Sequence, residues 1–482
     1  MNFYQFIIPR LNGKDIEKNF GYYRGLVKKG IAGFIIFGGK LEIVRQGIRE
    51  LQKEAERPLI IAADLERGLG QQLEGGTIFP PAMAIASAVK SQSPSATRRG
   101  GKSEVRSQKL LKDIFRAIAL EAGYAGINTI FAPVLDINTN PKNPIISTRA
   151  FGEDAGTVSF FGCEMIRVLQ ANGIAACGKH FPGHGDTEMD SHIGLPLIKK
   201  SLHSLEEAEL VPFKNAVKEG VKMIMLGHLK VTALDKSGLP VSLSEKAVKF
   251  LREKMKYKGI LITDAMNMGG IGKFSEEQAS LTALKAGVDL LLHPTDPDRV
   301  VSYLEKTNVG GVKAQIARNK KLIEFLAEKK LLSIPDFRKH RRISEGLAKK
   351  AIKAEGKIKP VKKPFLVILN DDKDEKGKSL ISGLKLRHGN LSCLYLKPGD
   401  DIKLNDIKDR DLIIAIFSGI KAWKGGPSPW LLKCIKKFEK SAKIFISFGS
   451  PYILDRIGTV PVVKIYAYWD SDSSQKAVAE VL

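Results

Sequence analysis

Between Lys179 and Pro196 the chain places Lys179, His180, His184, Asp186, Glu188, Asp190 and His192 around a turn built from Pro182, Gly183 and Gly185. Imidazole is the side chain whose ordinary pKa lies near neutrality, so a cluster of this kind is equipped to move protons. A second stretch, Thr263-Asp264-Ala265-Met266-Asn267-Met268, carries a lone carboxylate bordered by methionines. Asp264 as a nucleophile and Asp190-Ser191-His192 as a proton donor would form a complementary pair. Two plainer readings stand beside this one. The histidines can be hydrogen-bonded surface groups, and Asp264 can be the cap of the helix that follows it.

Cleavage of a glycosidic bond with retention uses such a pair, a nucleophilic carboxylate on one side of the sugar and a proton donor on the other. No second isolated Asp or Glu offers itself as the acid, so His192, oriented by Asp190, takes that part. Asp64, Arg149, Lys179 and His180 are candidates for holding sugar hydroxyls, which pair with carboxylates and cationic donors. A histidine acid also leaves phosphorolysis open, because a neutral imidazole does not repel an incoming phosphate as a carboxylate would. A different class is a metal-dependent hydrolase, with His180, His184, His228 and Asp264 around a cation. The Pro-Gly loop and the lack of an H-x-H pair after the first strand suit no common zinc spacing. The last alternative is a carbohydrate-binding scaffold without turnover.

These residues need a frame, and the sequence has a rhythm of apolar runs ending in polar or glycine-rich turns. The runs are Ala32 to Phe37, Leu59 to Ala63, Thr129 to Leu135, Gly173 to Gly178, Met223 to Leu226, Ile260 to Thr263 and Val288 to Leu292. Amphipathic stretches such as Glu206 to Glu219 and Ser244 to Met255 lie between them. Continuous apolar strands alternating with helices indicate a parallel sheet covered on both faces. With an N-terminal strand near Phe3 to Ile8 the count suits a (β/α)8 TIM barrel over residues 1–335, with an open doubly wound sheet as the competitor. Asp64, Asp136, Lys179, His180, His228, Asp264 and His293 all fall at strand C-termini, where barrel active sites are built. The long polar loop leaving the strand before Lys179 is expected to carry Asp190 and His192 apart from Asp264 until substrate arrives.

Residues 88–108 are basic and serine-rich and read as an exposed loop. Residues 336–364 read as a helix and a basic linker. After Pro364 the rhythm restarts on a smaller scale, giving an α/β/α sandwich over 365–482 with no chemistry assigned to it.

Composition narrows the class further. In 482 residues, hydrophobic residues make up 43% and charged residues 27%, the profile of a globular chain of two domains. Lysine and arginine outnumber acids 77 to 52, for a net charge of +25, but no helix carries a basic stripe interleaved with aromatics. A solvated basic surface is therefore expected, with no nucleic-acid or membrane partner. Cys163, Cys177, Cys393 and Cys434 lie far apart in apolar contexts and read as reduced core thiols. The N-terminus has no basic region followed by a long apolar core, so a cytoplasmic protein, monomeric or weakly dimeric, is expected.

The stretch Lys179-His180-Phe181-Pro182-Gly183-His184-Gly185-Asp186-Thr187 with Asp190-Ser191-His192 resembles the signature of the β-N-acetylglucosaminidase branch of glycoside hydrolase family 3. Phe131-Ala132-Pro133-Val134-Leu135-Asp136, Arg149-Ala150-Phe151 and Thr263-Asp264-Ala265-Met266-Asn267-Met268 resemble it too. The resemblance runs through most of residues 30–330 and, more faintly, through Ile444 to Pro451 and Ser473 to Lys476. It implies a TIM barrel followed by an α/β/α sandwich, with a retaining mechanism and no cofactor or metal. By motif match, Asp264 would be the nucleophile, His192 the acid and base, and Asp190 its partner. Asp64, Arg149, Lys179 and His180 would hold the non-reducing sugar, and the substrate would be β-linked N-acetylglucosamine, including muropeptide fragments. One departure matters: where the branch has E-G-G-R-V-Q-R, this chain has Glu66-Arg67-Gly68-Leu69-Gly70-Gln71-Gln72, with Leu69 and Gln72 in place of both arginines.

Overall fold

The computed structural model describes residues 1–92, 102–307, 309–328, 333–400, 409–421, 423–458 and 462–482. The chain divides into two compact units. The first comprises Met1–Phe79, Gln108–Asn140 and Ala150–Arg341, the second Pro80–Ser107, Pro141–Arg149 and Arg342–Leu482. Two segments expected inside the N-terminal domain thus pack with the C-terminal unit.

In the first unit the strands are β1 (Ile7–Ile8), β2 (Arg10–Asn12), β3 (Gly33–Phe37), β4 (Ile60–Ala63), β5 (Thr129–Ile130), β6 (Ala175–Phe181), β7 (Leu197–Ile198), β8 (Met223–Leu226), β9 (Lys230–Val231), β10 (Ile260–Thr263) and β11 (Leu291–Leu292). Seven of them form one curled, all-parallel sheet in the order β10-β8-β6-β5-β4-β3-β2, and β7 pairs with β9. β1 pairs in parallel with β11, and Leu290, just before β11, bridges Ile262 of β10. Side chains two apart on successive strands meet in one core. Ile60 and Ala62, Ala175 and Cys177, Met223 and Met225, Ile260 and Ile262, and Leu290 and Leu292 all belong to it, with Leu322 of the helix Lys313–Ala327. The two-residue period of a strand sends these alternate positions to one face.

The strand ends differ from expectation in two places that concern the site. The run from Thr129 is a strand only to Ile130, because Pro133 has no N–H for a ladder. Conversely, β6 continues past Gly178 to Phe181, so Lys179 and His180 are strand residues, and Lys179 is paired on both sides of its peptide: Lys179 N donates to Pro133 O and Leu135 N to Lys179 O. The expected helix Glu206 to Glu219 is two helices, Leu202–Glu207 and Leu210–Lys218, and Ser244 to Met255 is an α turn continued by a π turn.

In the second unit, β12 (Lys353–Glu355), β13 (Pro364–Asn370), β14 (Ser392–Leu396), β15 (Asp411–Phe417), β16 (Ala442–Ser447) and β17 (Val463–Tyr466) form a sheet ordered β12-β17-β16-β15-β13-β14. Only β12 is antiparallel to its neighbour. The loop expected over 88–108 is helical where it is described. Helices Ala82–Gln92 and Lys102–Ala125 enter it from both sides, and 93–101 lies outside the described residues. Its lysines, arginines and glutamines are good helix formers, a property that composition alone obscured. Cys177 and Cys434 are buried thiols, Cys163 is half-buried, and Cys393 is exposed rather than in the core. Among the described residues no helix is long and apolar enough to cross a membrane.

Candidate active site

β6 presents Lys179 and His180 next to each other at the end of the sheet where β4 presents Asp64. Lys179 Nζ lies 2.6 Å from Asp64 Oδ1 and 2.7 Å from Glu66 Oε1. The lysine side chain is 3% exposed and the Asp64 side chain 29%, so of this pair Asp64 is the one open to a ligand. A buried ammonium held between two carboxylates fixes the direction of all three side chains.

His180 turns toward Asp136. Its Nδ1 lies 2.7 Å from Asp136 Oδ2, while Asp136 Oδ1 accepts the backbone N–H of His180 at 3.1 Å and of His184 at 2.7 Å. Asp136 is fully buried; burial by itself would raise its pKa, but His180, His184 and these N–H donors hold it below the usual carboxylate range. His184 is fully engaged, Nδ1 with Thr187 Oγ1 at 2.7 Å and Nε2 with Ser191 Oγ at 3.0 Å. Burial, aided by His180, pushes its pKa down to about 4, so it is a neutral structural ring.

Further along the loop, His192 Nδ1 lies 2.7 Å from Asp190 Oδ1, which also accepts the His192 backbone N–H at 2.9 Å. Asp190 is wholly buried while the His192 side chain remains 24% exposed. The carboxylate therefore claims Nδ1 and leaves Nε2 directed away from it. This loop is joined to the one that bears Asp264, rather than standing apart from it: Gly269 N donates to His192 O at 3.1 Å. Gly269 and Gly270 make that approach possible, since a Cβ at either would come within 2.8 Å of a loop carbonyl, Ile193 O for the first and Ser191 O for the second.

Asp264 directly follows β10, 8% exposed, with Oδ1 accepting the Ala265 N–H at 2.8 Å. It caps no helix; the next α-helix, Glu276–Ala286, has its own capping box from Ser275 and Gln278. Burial pushes the Asp264 pKa up, yet His180, His228, His192 and the Ala265 N–H together bring it below the ordinary value. Behind it, His228 spans Ser242 Oγ at Nδ1 (2.6 Å) and Ala265 O at Nε2 (3.0 Å). Burial lowers its pKa, and its two engaged nitrogens fix the peptide next to Asp264. With both rings of His184 and His228 committed in this way, neither nitrogen pair is open to a cation, and among the described residues no three His, Cys, Asp or Glu side chains converge as a metal site.

The structure thus brings together Asp64 with Lys179, His180 with Asp136, and Asp190 with His192. Arg149 belongs to the second unit, at the end of the turn Ser147–Arg149, where its guanidinium donates to Ile145 O at 3.0 Å. At the two replaced arginine positions, Leu69 is buried and Gln72 Nε2 reaches Asp64 O at 3.4 Å, so neither supplies a charge. Sequence reading did not assign Glu66, Asp136 or His228 their supporting parts. For Glu66 the signal was its position two residues after Asp64, the distance at which a turning chain can bring two carboxylates to one lysine.

Residues 14–321 match the model of the glycosyl hydrolase family 3 N-terminal domain. Beta-hexosaminidase A of Pseudoalteromonas piscicida is 29% identical over 493 aligned positions, covering 89% of this chain and 80% of that protein. A solved family 3 beta-N-acetylglucosaminidase of Paenibacillus sp. str. FPU-7 superposes with a TM-score of 0.82 at 26% identity, over 99% of this chain and 95% of that one. The beta-glucoside phosphorylase BglX shares the fold, with a TM-score of 0.80 at 19% identity over 99% and 90% of the two chains. With the family model spanning well over half of its length, this chain belongs to glycoside hydrolase family 3.

Proposed function

We propose that the protein is a retaining exo-glycosidase that releases terminal β-linked N-acetylglucosamine from muropeptide or chitooligosaccharide substrates. Asp264 attacks the anomeric carbon while His192 Nε2 gives its proton to the departing glycosidic oxygen. The glycosyl–Asp264 ester is then opened by water, from which the now neutral His192 takes a proton, and the sugar leaves with its original configuration. Asp190 orients His192, and Asp64, Lys179 and His180 hold the sugar. The observation that carries this reading is the His192–Asp190 contact at 2.7 Å on a loop hydrogen-bonded to the Asp264 loop. The lowered pKa of Asp264 supports a carboxylate ready to attack at neutral pH. The names of the relatives support the N-acetylhexosamine specificity.

The catalytic frame is proposed as a (β/α)8 barrel over residues 1–335, joined through 336–364 to an α/β/α sandwich over 365–482. The β1–β11 pairing and the Leu290–Ile262 bridge support closure of the curled sheet. Four free cysteines support a reducing compartment, the cytoplasm.

Product analysis on matched N-acetylglucosaminide and glucoside substrates, with and without phosphate, tests the reading. Free N-acetylglucosamine is expected in both buffers, and Asp264→Ala is expected to abolish its release. Sugar 1-phosphate formed only in phosphate buffer would assign phosphorolysis instead, which a histidine acid permits. Full turnover by Asp264→Ala would reject the assignment of the nucleophile.

A further inference from the structure

The core face of the curled sheet carries two more polar groups beside the sugar contacts. Ile35, Ala62, Cys177 and Ile262 lie in the core, and the alternation of a strand brings Phe37, Asp64, Lys179 and Asp264 to the same face two residues further on. Arg10 is in register with Ile35 across the β2–β3 ladder, so it shares that face. His293 reaches it by a different route. It follows Leu292, a core residue, and in a regular strand would point to the opposite side. Its backbone is left-handed instead, with φ 52°, and its ring centroid lies 5.5 Å from that of Phe37. The His293 N–H donates to Ile8 O at 2.8 Å, which holds this conformation. Non-glycine residues kept in the left-handed region gather at functional sites.

Both groups are open to a ligand. The Arg10 guanidinium lies 4.6 Å from the Phe37 ring centroid, and among the described residues neither it nor the His293 ring has a hydrogen-bond or ion-pair partner. Arg10 is exposed and His293 half-buried. By contrast, His180, His184, His192 and His228 each have a ring nitrogen engaged. Burial, aided by Arg10 and opposed by Asp64, lowers the His293 pKa to about 4, so at neutral pH the ring is uncharged and one of its nitrogens accepts. A guanidinium only donates. Beside a nitrogen that accepts, it complements a secondary amide, which offers one C=O and one N–H. Asp64, Lys179 and His180 suit hydroxyls, whereas the group that separates N-acetylglucosamine from glucose is an amide.

We propose that Arg10 and His293 are specificity-determining residues that read the acetamido group of the sugar, the guanidinium donating to its carbonyl oxygen and the imidazole accepting from its N–H. Phe37 holds both groups in place. This inference rests on the N-acetylglucosaminide reading of the pocket. The test compares kcat/KM on an aryl N-acetyl-β-glucosaminide and the matched aryl β-glucoside, with calorimetric affinities for N-acetylglucosamine and glucose alongside. In Arg10→Met the preference for the acetamido sugar is expected to fall about tenfold or more, the loss of one hydrogen bond to a charged group. The thermal midpoint should stay near wild type, because Arg10 is exposed. His293→Leu should lower the preference as well, and His293→Asn, whose amide can accept and which tolerates a left-handed backbone, should recover part of it. Equal losses on both sugars, or a preference that survives in Arg10→Met, overturn the inference. If the wild type cleaves neither glycoside, the proposed activity fails by itself, and the affinity ratio still decides: a wild-type ratio near one, or one that Arg10→Met leaves in place, overturns the assignment.

Discussion

The carbonyl of His192 accepts a hydrogen bond from the backbone N–H of Gly269 at 3.1 Å. Through it, the loop that carries Asp190 and His192 is tied to the loop that follows Asp264. The contact needs a residue without a side chain: a Cβ at Gly269 would stand 2.7 Å from Ile193 O and 3.0 Å from His192 O. Gly269→Ala is therefore expected to shift His192 against Asp264 and to lower kcat about a hundredfold, the loss typical of a misplacement near 1 Å. Circular dichroism and the thermal midpoint should stay near wild type. An unchanged kcat would show that the two loops act independently.

If His192 is the acid, its loss matters most when the leaving group is poor. His192→Ala is expected to lower kcat/KM by roughly 10²–10⁴ on a disaccharide, in the range of general acid catalysis, and far less on an aryl glycoside with an acidic phenol. Asp190→Ala should follow the same ordering with smaller losses, since it acts through the ring. Equal losses on both substrates would remove His192 from the acid role.

Lys179 is the counter-charge for Asp64 and Glu66, with its own side chain 3% exposed. Lys179→Met would leave two neighbouring carboxylates without it, and removal of one partner of a buried pair costs about 3–5 kcal/mol. The partial exposure of Asp64 places the expected loss at the lower end, about 3 kcal/mol by urea denaturation. Adding Asp64→Asn should restore part of it, and no recovery would indicate that the lysine stabilises the fold by packing alone.

Acid should weaken the first unit through its neutral histidines. The His184 pKa is pushed down to about 4 by burial and His180, and that of His293 to about 4 by burial and Arg10, against about 6.5 in the unfolded chain. Between those values the unfolded chain binds more protons, so stability falls as pH drops from about 6.5 to 4. For His184 alone the loss approaches about 3 kcal/mol at the low end, from 1.36 kcal/mol per pKa unit. Thermal midpoints measured across this window should fall steadily in the wild type and less steeply in His184→Gln. The same slope in both proteins would contradict a buried neutral ring.

Much of this arrangement was legible in the chain. Apolar runs ending at Asp64, Asp264 and His228 read as strands because both faces of a parallel strand are buried, and the termini followed from the polar residues that end them. The Asp190–His192 contact was legible as well, because two residues of one turn are near whatever the rest of the protein does. The strand character of Lys179 and His180 was not. It depends on Pro133 and Leu135 supplying backbone partners from more than forty residues away. Helices on either side of 93–101 were missed because serine and arginine content does not distinguish a solvated helix from a loop.

What the sequence determined by itself is local: the alternation of strands and helices, and the residue types at strand ends, both set by periodicity along the chain. Only the tertiary structure decided which groups share a proton or a charge. Lys179 finds Asp64 at a separation of 115 residues, and His180 finds Asp136 at 44. Those partners are chosen by the order and curvature of the sheet, which bring strand ends together in space. No spacing rule along the chain encodes that neighbourhood. The same holds in the second unit, where the pairing of β13 with β15 sets Ser418 beside Asp371 and Lys424.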